Sequence, residues 1–276
     1  MMIRLLGIIC LFLTLESQAQ YYYKDIVTSR QTTERIKKYR MQKVRSVKVL
    51  SFEGSGEPTP GFQGSQSITS NFTIIKTAFN TPLEGESQLT TFFNAGGQLI
   101  KTVDTLEGSG SESSYIYDDA GSISKIVNVS TSPGHHQENE VHMWLYDAQG
   151  RPNKMLRIRN GSDTTHVNFT LDENGNVAEE NSVRNGRHLP SYYYYYDNKG
   201  RLTDVVTYNE KAKRLLPLYI FEYNEADDIS TMMVIPEGSD DYQKWYYEYG
   251  EGKLKTKETC FNKHRQVMGR IEYVYD

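Results

Sequence analysis

Cysteine is nearly absent. The 276 residues hold two, and Cys10 lies in an apolar N-terminal stretch, so Cys260 stands alone in the remainder. That excludes an internal disulfide and a cysteine-based metal cluster, and stability must come from packing. Long apolar runs are equally scarce: beyond residue 20 nothing in the sequence reads as a transmembrane helix. Charge of one sign is not in excess. Lys and Arg total 31 against 35 Asp and Glu, for a net charge of −4, which argues against a nucleic-acid binder. There is no G-x-S-x-G, no Walker loop and no dinucleotide fingerprint. No cofactor is expected.

The one apolar run is at the start. Arg4 precedes Leu5–Leu15, and Ser17-Gln18-Ala19 supplies a small-x-small cleavage pattern. Residues 1–19 therefore read as a secretory signal, cleaved near Ala19–Gln20, and predict a secreted, periplasmic or cell-surface protein. Residues 20–45 are basic: Lys24, Arg30, Arg35, Lys37, Lys38, Arg40, Lys43 and Arg45 face only Asp25 and Glu34. Gly and Pro are absent there, and Tyr22, Ile26, Ile36 and Tyr39 trace an apolar stripe, so a helix is predicted. It would cap the first edge of a repeat stack, or meet a membrane surface or polyanion through its basic face. Val47 and Val49 begin a strand, residues 53–67 read as a Gly- and Pro-rich loop, and residues 68–93 as a degenerate hairpin.

The rest of the chain is organised on a repeat. Its clearest copy is Tyr196-Asp197-Asn198-Lys199-Gly200-Arg201-Leu202. Related copies start at Phe93, Tyr117, Tyr146, Leu171, Tyr223 and Tyr249, and the chain stops at Tyr275-Asp276; successive anchors lie 24 to 29 residues apart. Such a period marks stacked supersecondary units. The leading Asp or Asn can close an Asx-turn on the backbone two residues on. The Gly supplies positive φ in a type I turn followed by a bulge. Asp227 stands where the Tyr223 copy should have Gly.

The flanks alternate with period two, as half-buried strands do. Counting back by twos from the anchors gives Tyr146, Trp144 and His142; Leu171, Phe169 and Val167; Tyr196, Tyr194 and Tyr192; Tyr249, Tyr247 and Trp245. This aromatic face is read as the core, its rings stacked between neighbouring hairpins. Val141, Met143 and Leu145, with Tyr193 and Tyr195, make the second face apolar too, which predicts a cover over that face near the middle of the sheet.

The Tyr-Asp-x-x-Gly-Arg-Leu pattern resembles the YD repeats of Rhs-type secreted bacterial proteins, over roughly residues 93–276. The resemblance implies successive β-hairpins winding into a sheet or shell. Large Rhs proteins encapsulate a toxin domain in such a shell; with few repeats and no appended domain, encapsulation does not carry over. A signal peptide followed by a modest Tyr-rich repeat chain is also similar to secreted Bacteroidetes proteins.

Several constellations could carry chemistry. His135-His136 with His142 is the only histidine cluster, but no spaced partner completes a metal site, and His142 shares the core face as a hydrogen-bonded histidine. Asp172-Glu173-Asn174-Gly175-Asn176 resembles the opening of a calcium loop but lacks the later bidentate Glu and sits on the repeat turn. The pairs Asp240–Asp241 and Glu179–Glu180 could in principle serve glycoside hydrolysis, with nothing to fix an opposed carboxylate. Exposed aromatics could stack on sugar rings: Trp144, Trp245, Tyr193 and Tyr195 are the candidates, and the two tyrosines, off the core face, are the better ones. Asp104-Thr105-Leu106 and Asp163-Thr164-Thr165 resemble Bacteroidetes O-glycosylation acceptors, at Thr105 and Thr164.

The sequence thus predicts an all-β fold of antiparallel hairpin repeats forming a twisted, curled sheet, with a short N-terminal helix: residues 1–19 signal, 20–45 cap, 46–276 one β-repeat domain. A sheet of this kind would leave unpaired edge strands free to pair with another chain. The expected role is non-enzymatic, an envelope interaction or structural module with protein or polysaccharide partners at the cell surface. The alternatives are a polysaccharide-binding protein and, behind it, a glycan-active enzyme.

Overall fold

The computed structural model describes residues 21–82, 85–106, 108–134, 136–209, 212–236, 239 and 241–276. One helix, α1 (Lys24–Met41), precedes a run of strands. These are β1 (Ser46–Glu53), β2 (Gln63–Ile68), β3 (Ile74–Thr81), β4 (Gly85–Phe93), β5 (Leu99–Leu106), β6 (Ser109–Tyr117), β7 (Ile123–Ser132), β8 (His136–Tyr146), β9 (Pro152–Arg159) and β10 (Asp163–Leu171). They continue as β11 (Val177–Arg184), β12 (Arg187–His188), β13 (Tyr192–Tyr196), β14 (Leu202–Asn209), β15 (Arg214–Tyr223), β16 (Ile229–Val234), β17 (Gln243–Tyr249), β18 (Lys255–Asn262) and β19 (Val267–Tyr275). The proposed signal segment lies outside the described residues. The region expected to be a loop over 53–67 contains most of β2.

Each strand pairs antiparallel with the next, β12 and β13 sharing one place beside β11. The two ends then meet: β1 pairs with β19 from Val47↔Tyr275 to Glu53↔Gly269, and with β2 on its other side. The curled sheet expected from the sequence is therefore a closed, up-and-down barrel. The edge strands expected at either end do not exist, because each satisfies the other's backbone groups.

The repeat chemistry accounts for the hairpins. In the Tyr196 copy, Asp197 Oδ1 accepts from the Lys199 and Arg201 backbone N–H groups at 2.9 and 3.0 Å. Gly200 takes φ +75°, which an L-residue adopts with strain. Asp227 takes the same left-handed place at φ +66°, as Asp can at a cost below that of bulkier residues. The strand register shifts beside each repeat anchor, between Leu145 and Tyr146, between Tyr195 and Tyr196, and between Glu222 and Tyr223.

The anchor is tyrosine for a reason beyond ring burial. Tyr117, Tyr146, Tyr196, Tyr223 and Tyr249 donate their hydroxyls to the carbonyls of Leu99, Ile123, Val177, Leu202 and Ile229, at 2.7 to 2.9 Å. Each acceptor is the residue that opens the strand after the preceding repeat's turn. The hydroxyl thus fastens one hairpin to the one before it. Tyr223→Phe keeps the ring and deletes the bond, and should cost about 0.5–1.5 kcal/mol in chemical denaturation.

The aromatic face points into the barrel. Trp144 stacks on Phe169 with ring centroids 5.2 Å apart and an 11° interplanar angle. Tyr192, Tyr194, Val167 and Val177 complete this part of the core, and Trp245, Tyr247 and Cys260 form another. Among the described residues nothing supplies the cover expected over the second face: Met143, Leu145 and Tyr195 are 40%, 49% and 48% exposed on the outer wall.

Helix α1 lies inside the ring, across one mouth. Because the repeat turns alternate with the other hairpin loops, they gather at that mouth. Tyr22 and Tyr23 pack with Phe169 and Tyr194, on the wall opposite β1 in the ring. Ile36 and Tyr39, one helical stretch on, pack with Val47, Ile75, Phe93 and Leu99, and Lys38 reaches Asp228 in a repeat turn at 2.6 Å. Eighteen residues make a rod of about 27 Å, enough to bridge the walls. Arg30, Arg35 and Lys37 on its other side are exposed. The sequence-expected stripe of Tyr22, Ile26, Ile36 and Tyr39 is the buried side, but it covers a barrel mouth rather than a sheet edge.

Candidate functional site

Two of the places where polar side chains gather lie on opposite sides of the wall, one inside the barrel and one outside. The inner one is built where the start of α1 meets β8, β9, β11 and β13. Glu180 is fully buried there. It accepts the backbone N–H groups of Tyr22 at 2.9 and 3.0 Å and Tyr23 at 3.0 Å, and the Tyr194 hydroxyl at 2.7 Å. No side chain of the helix caps its own N-terminus, so Glu180 does so from the wall, an acid at the positive end of the helix dipole. Burial nevertheless pushes its carboxyl up to about 7, against those hydrogen bonds.

Beside it runs a chain of charges. His142 Nδ1 lies 2.6 Å from Asp25 of the helix and Nε2 lies 2.8 Å from Glu140. Arg157 donates to Glu140 at 2.7 Å. Both ring nitrogens face carboxylate acceptors, so both donate and the ring is an imidazolium. Burial alone would lower its pKa, but the two acids, Asp25 first, raise it to about 9. Glu140 is held at about 2 by His142 and Arg157 despite the burial that opposes them. The arrangement fastens the helix to the wall. It leaves neither imidazole nitrogen available as a base.

The outer place is a shallow depression of about 470 Å³ on β10, β11 and β13, lined by Thr170, Glu179, Tyr193 and Tyr195 together with turn residues Asp172 and Asp197. Tyr193 faces Glu179 across the β11–β13 pair and is hydrogen-bonded to it; burial and then that carboxylate push the phenol up. Asp172 and Asp197 are occupied by their own turns. Asp172 Oδ1 accepts from Asn174 and Asn176, the atoms a calcium ion would need, and Asp197 Oδ2 is held by Arg201.

The sequence candidates therefore separate. Tyr193 and Tyr195 share the outer depression. Trp144 and Trp245, also proposed as ligand-binding, are 3% and 4% exposed inside the barrel; the inward register of β8 and β17 makes them core, not platform. Glu179 and Glu180 lie on opposite sides of the wall and cannot act as a pair. Thr105 is exposed near the end of β5 and its hydroxyl bonds the Gln88 carbonyl at 3.3 Å; Thr164 is half-buried on β10. His135 and Asp240 lie outside the described residues, as does the side chain of His136. Among the described residues no group of three His, Cys, Asp or Glu could hold a metal ion.

Asp25 and Arg157 carried no site expectation from the sequence, and Glu180 entered only as half of the Glu179–Glu180 pair. Their signal was present: period-two counting forward from Val177, allowing for the bulge, puts an acid on the aromatic face. A buried acid on such a face must find donors.

No protein-family profile matches this chain, and no curated protein matches it. Among solved structures it is similar to a Tc holotoxin pore from Photorhabdus luminescens, 13% identical over 78% of this chain and 12% of that one, with a TM-score of 0.35. It is also similar to porin-like proteins from Bacteroides uniformis (7% identical, TM-score 0.39) and Bacteroides vulgatus (9%, 0.26), each over 84% of this chain and 98% of the other. The chain spans about an eighth of the toxin chain it matches. Likenesses this remote carry no argument about function. Among the described residues, no helix is long and apolar enough to cross a membrane, which says nothing of membrane-crossing strands.

Proposed function

We propose that this protein is a YD-repeat-like, secreted or periplasmic module of the cell envelope, non-enzymatic, that meets its partners through the outer wall of the barrel. The observation that carries this reading is the placement of α1. The helix and the aromatic side chains occupy the inside at the repeat-turn mouth, so exposed apolar groups such as Ile116, Met143, Leu145 and Tyr195 are outside. The same wall carries ion pairs between neighbouring strands, Lys101–Glu112 at 2.7 Å and Lys257–Glu248 at 2.7 Å, and along one strand, Arg270–Glu272 at 2.8 Å. Charged groups on a lipid-facing wall cost about 2–4 kcal/mol each near the bilayer midplane for Lys and Arg, so this wall suits water. Fractionation of cells expressing the whole chain tests the reading: recovery in the soluble extracytoplasmic fraction with an N-terminus near Gln20 is expected, and retention in the cytoplasm at full length overturns it.

A second reading, polysaccharide binding, is favoured by the depression at Tyr193 and Tyr195. It places an exposed ring beside hydrogen-bonding side chains on a rigid strand, as sugar recognition needs. Affinity electrophoresis in gels cast with polysaccharides tests it; retardation in at least one gel is expected, and unretarded migration in all of them overturns it.

A further inference from the structure

We propose that the outer depression is a subsite for neutral pyranose units, with a sugar face on Tyr195 and sugar hydroxyls donating to Glu179 and, across the neighbouring pair, Asp204. This rests on the polysaccharide-binding reading. Tyr193 and Tyr195 are two residues apart on one face of β13, so their side chains are spaced about 7 Å along the strand. Register sets acceptors on both sides of them: Glu179 of β11 opposite Tyr193, and Asp204 of β14 opposite Tyr195. The Tyr195 ring presents a flat apolar face, and the flanking oxygens accept from hydroxyls that stand at the rim of a ring lying on it. A volume of about 470 Å³ falls within the range of small-ligand sites.

Charge selects the class of sugar. Among the described residues the lining holds three carboxylates, Asp172, Glu179 and Asp197, and no lysine or arginine; Arg201 neutralises Asp197 from outside the lining, and the other two leave the rim acidic. A uronate or phosphorylated sugar would bring like charge to this rim and be repelled. A basic peptide is the less favoured occupant, because Asp172 and Asp197 already accept two or more donors each from their turns and Arg201 already neutralises Asp197. What remains on offer is hydroxyl-scale hydrogen bonding around an aromatic platform.

The test is affinity electrophoresis of the purified protein in gels cast with a neutral β-glucan, a neutral mannan, polygalacturonate or chitosan. Retardation by a neutral polymer is expected, weakened at least ten-fold in Tyr195→Ala and unchanged in Tyr246→Ala, which alters an exposed tyrosine on β17. Thermal melts of both variants check that each is folded. Retardation by polygalacturonate or chitosan alone overturns the neutral-sugar assignment and leaves the polysaccharide reading standing. Retardation by a neutral polymer that survives both Tyr195→Ala and Tyr193→Ala overturns the site and leaves the reading. Migration unretarded in every gel overturns both.

Discussion

Replacing Glu180 with alanine should destabilise the protein by about 3–5 kcal/mol and release the start of α1 from the wall. The substitution strands two buried backbone N–H groups and the Tyr194 hydroxyl at once. Each buried donor left without an acceptor costs about 1–3 kcal/mol. Glu180→Gln keeps one acceptor oxygen and should cost less. The pH dependence separates the carboxyl from its shape. Its folded pKa of about 7 lies above the ordinary 4.5, so the folded state binds the proton more tightly. Its contribution is full below pH 4.5 and falls as pH rises to 7, by on the order of 3 kcal/mol. Urea denaturation across that range should show the fall in the wild type and not in Glu180→Gln. The same slope in both would contradict the buried-acid account.

The second large effect is expected at His142. Its imidazolium lies between Asp25 and Glu140, and His142→Ala leaves two carboxylates facing a void, with only Glu140 still paired to Arg157. Breaking a buried ion pair from one side costs about 3–5 kcal/mol. Here the folded pKa is raised from 6.5 to about 9. The stabilisation is therefore complete below pH 6.5 and is lost as pH rises through 9. The wild type should weaken across this window by on the order of 3 kcal/mol, and His142→Ala should be flat above pH 7, where the Glu180 loss is complete. Glu140 works in the opposite sense: held at about 2, it contributes above pH 4.5 and loses that contribution as the solution is acidified toward 2. The three groups together place the best-defended pH near the lower end of the Glu180 window.

The two effects also show what could be read from the chain. The hairpins were legible because their causes are local. Asp197 and Gly200 make the same turn wherever the strands go, and Tyr194 and Trp144 take the core side by alternation alone. The barrel's closure was not legible. It depends on Val47 meeting Tyr275, a pairing between the two ends of the sheet that follows from strand number and accumulated twist. The seat of α1 was hidden for the same reason: without a closed ring there is no mouth for Ile36 to plug. Trp144 and Trp245 were offered as sugar platforms on residue type and proved to be core on register, whereas Tyr193 and Tyr195, one position out of register, came to the surface. The anchor hydroxyls escaped notice because Leu202 and Leu99 accept through backbone carbonyls, which leave no mark on the side-chain pattern.

Strand β1 closes the sheet onto β19 around the N-terminal helix. Lys48 and Val274 face each other across that seam, at a cross-strand spacing that a disulfide can span. The most direct test is to oxidise the Lys48→Cys, Val274→Cys variant at low concentration and follow the loss of two thiols by mass spectrometry. The closed barrel predicts a near-quantitative intramolecular disulfide with the melting temperature kept or raised. An open sheet predicts free thiols or disulfide-linked dimers, and either result would contradict the closure.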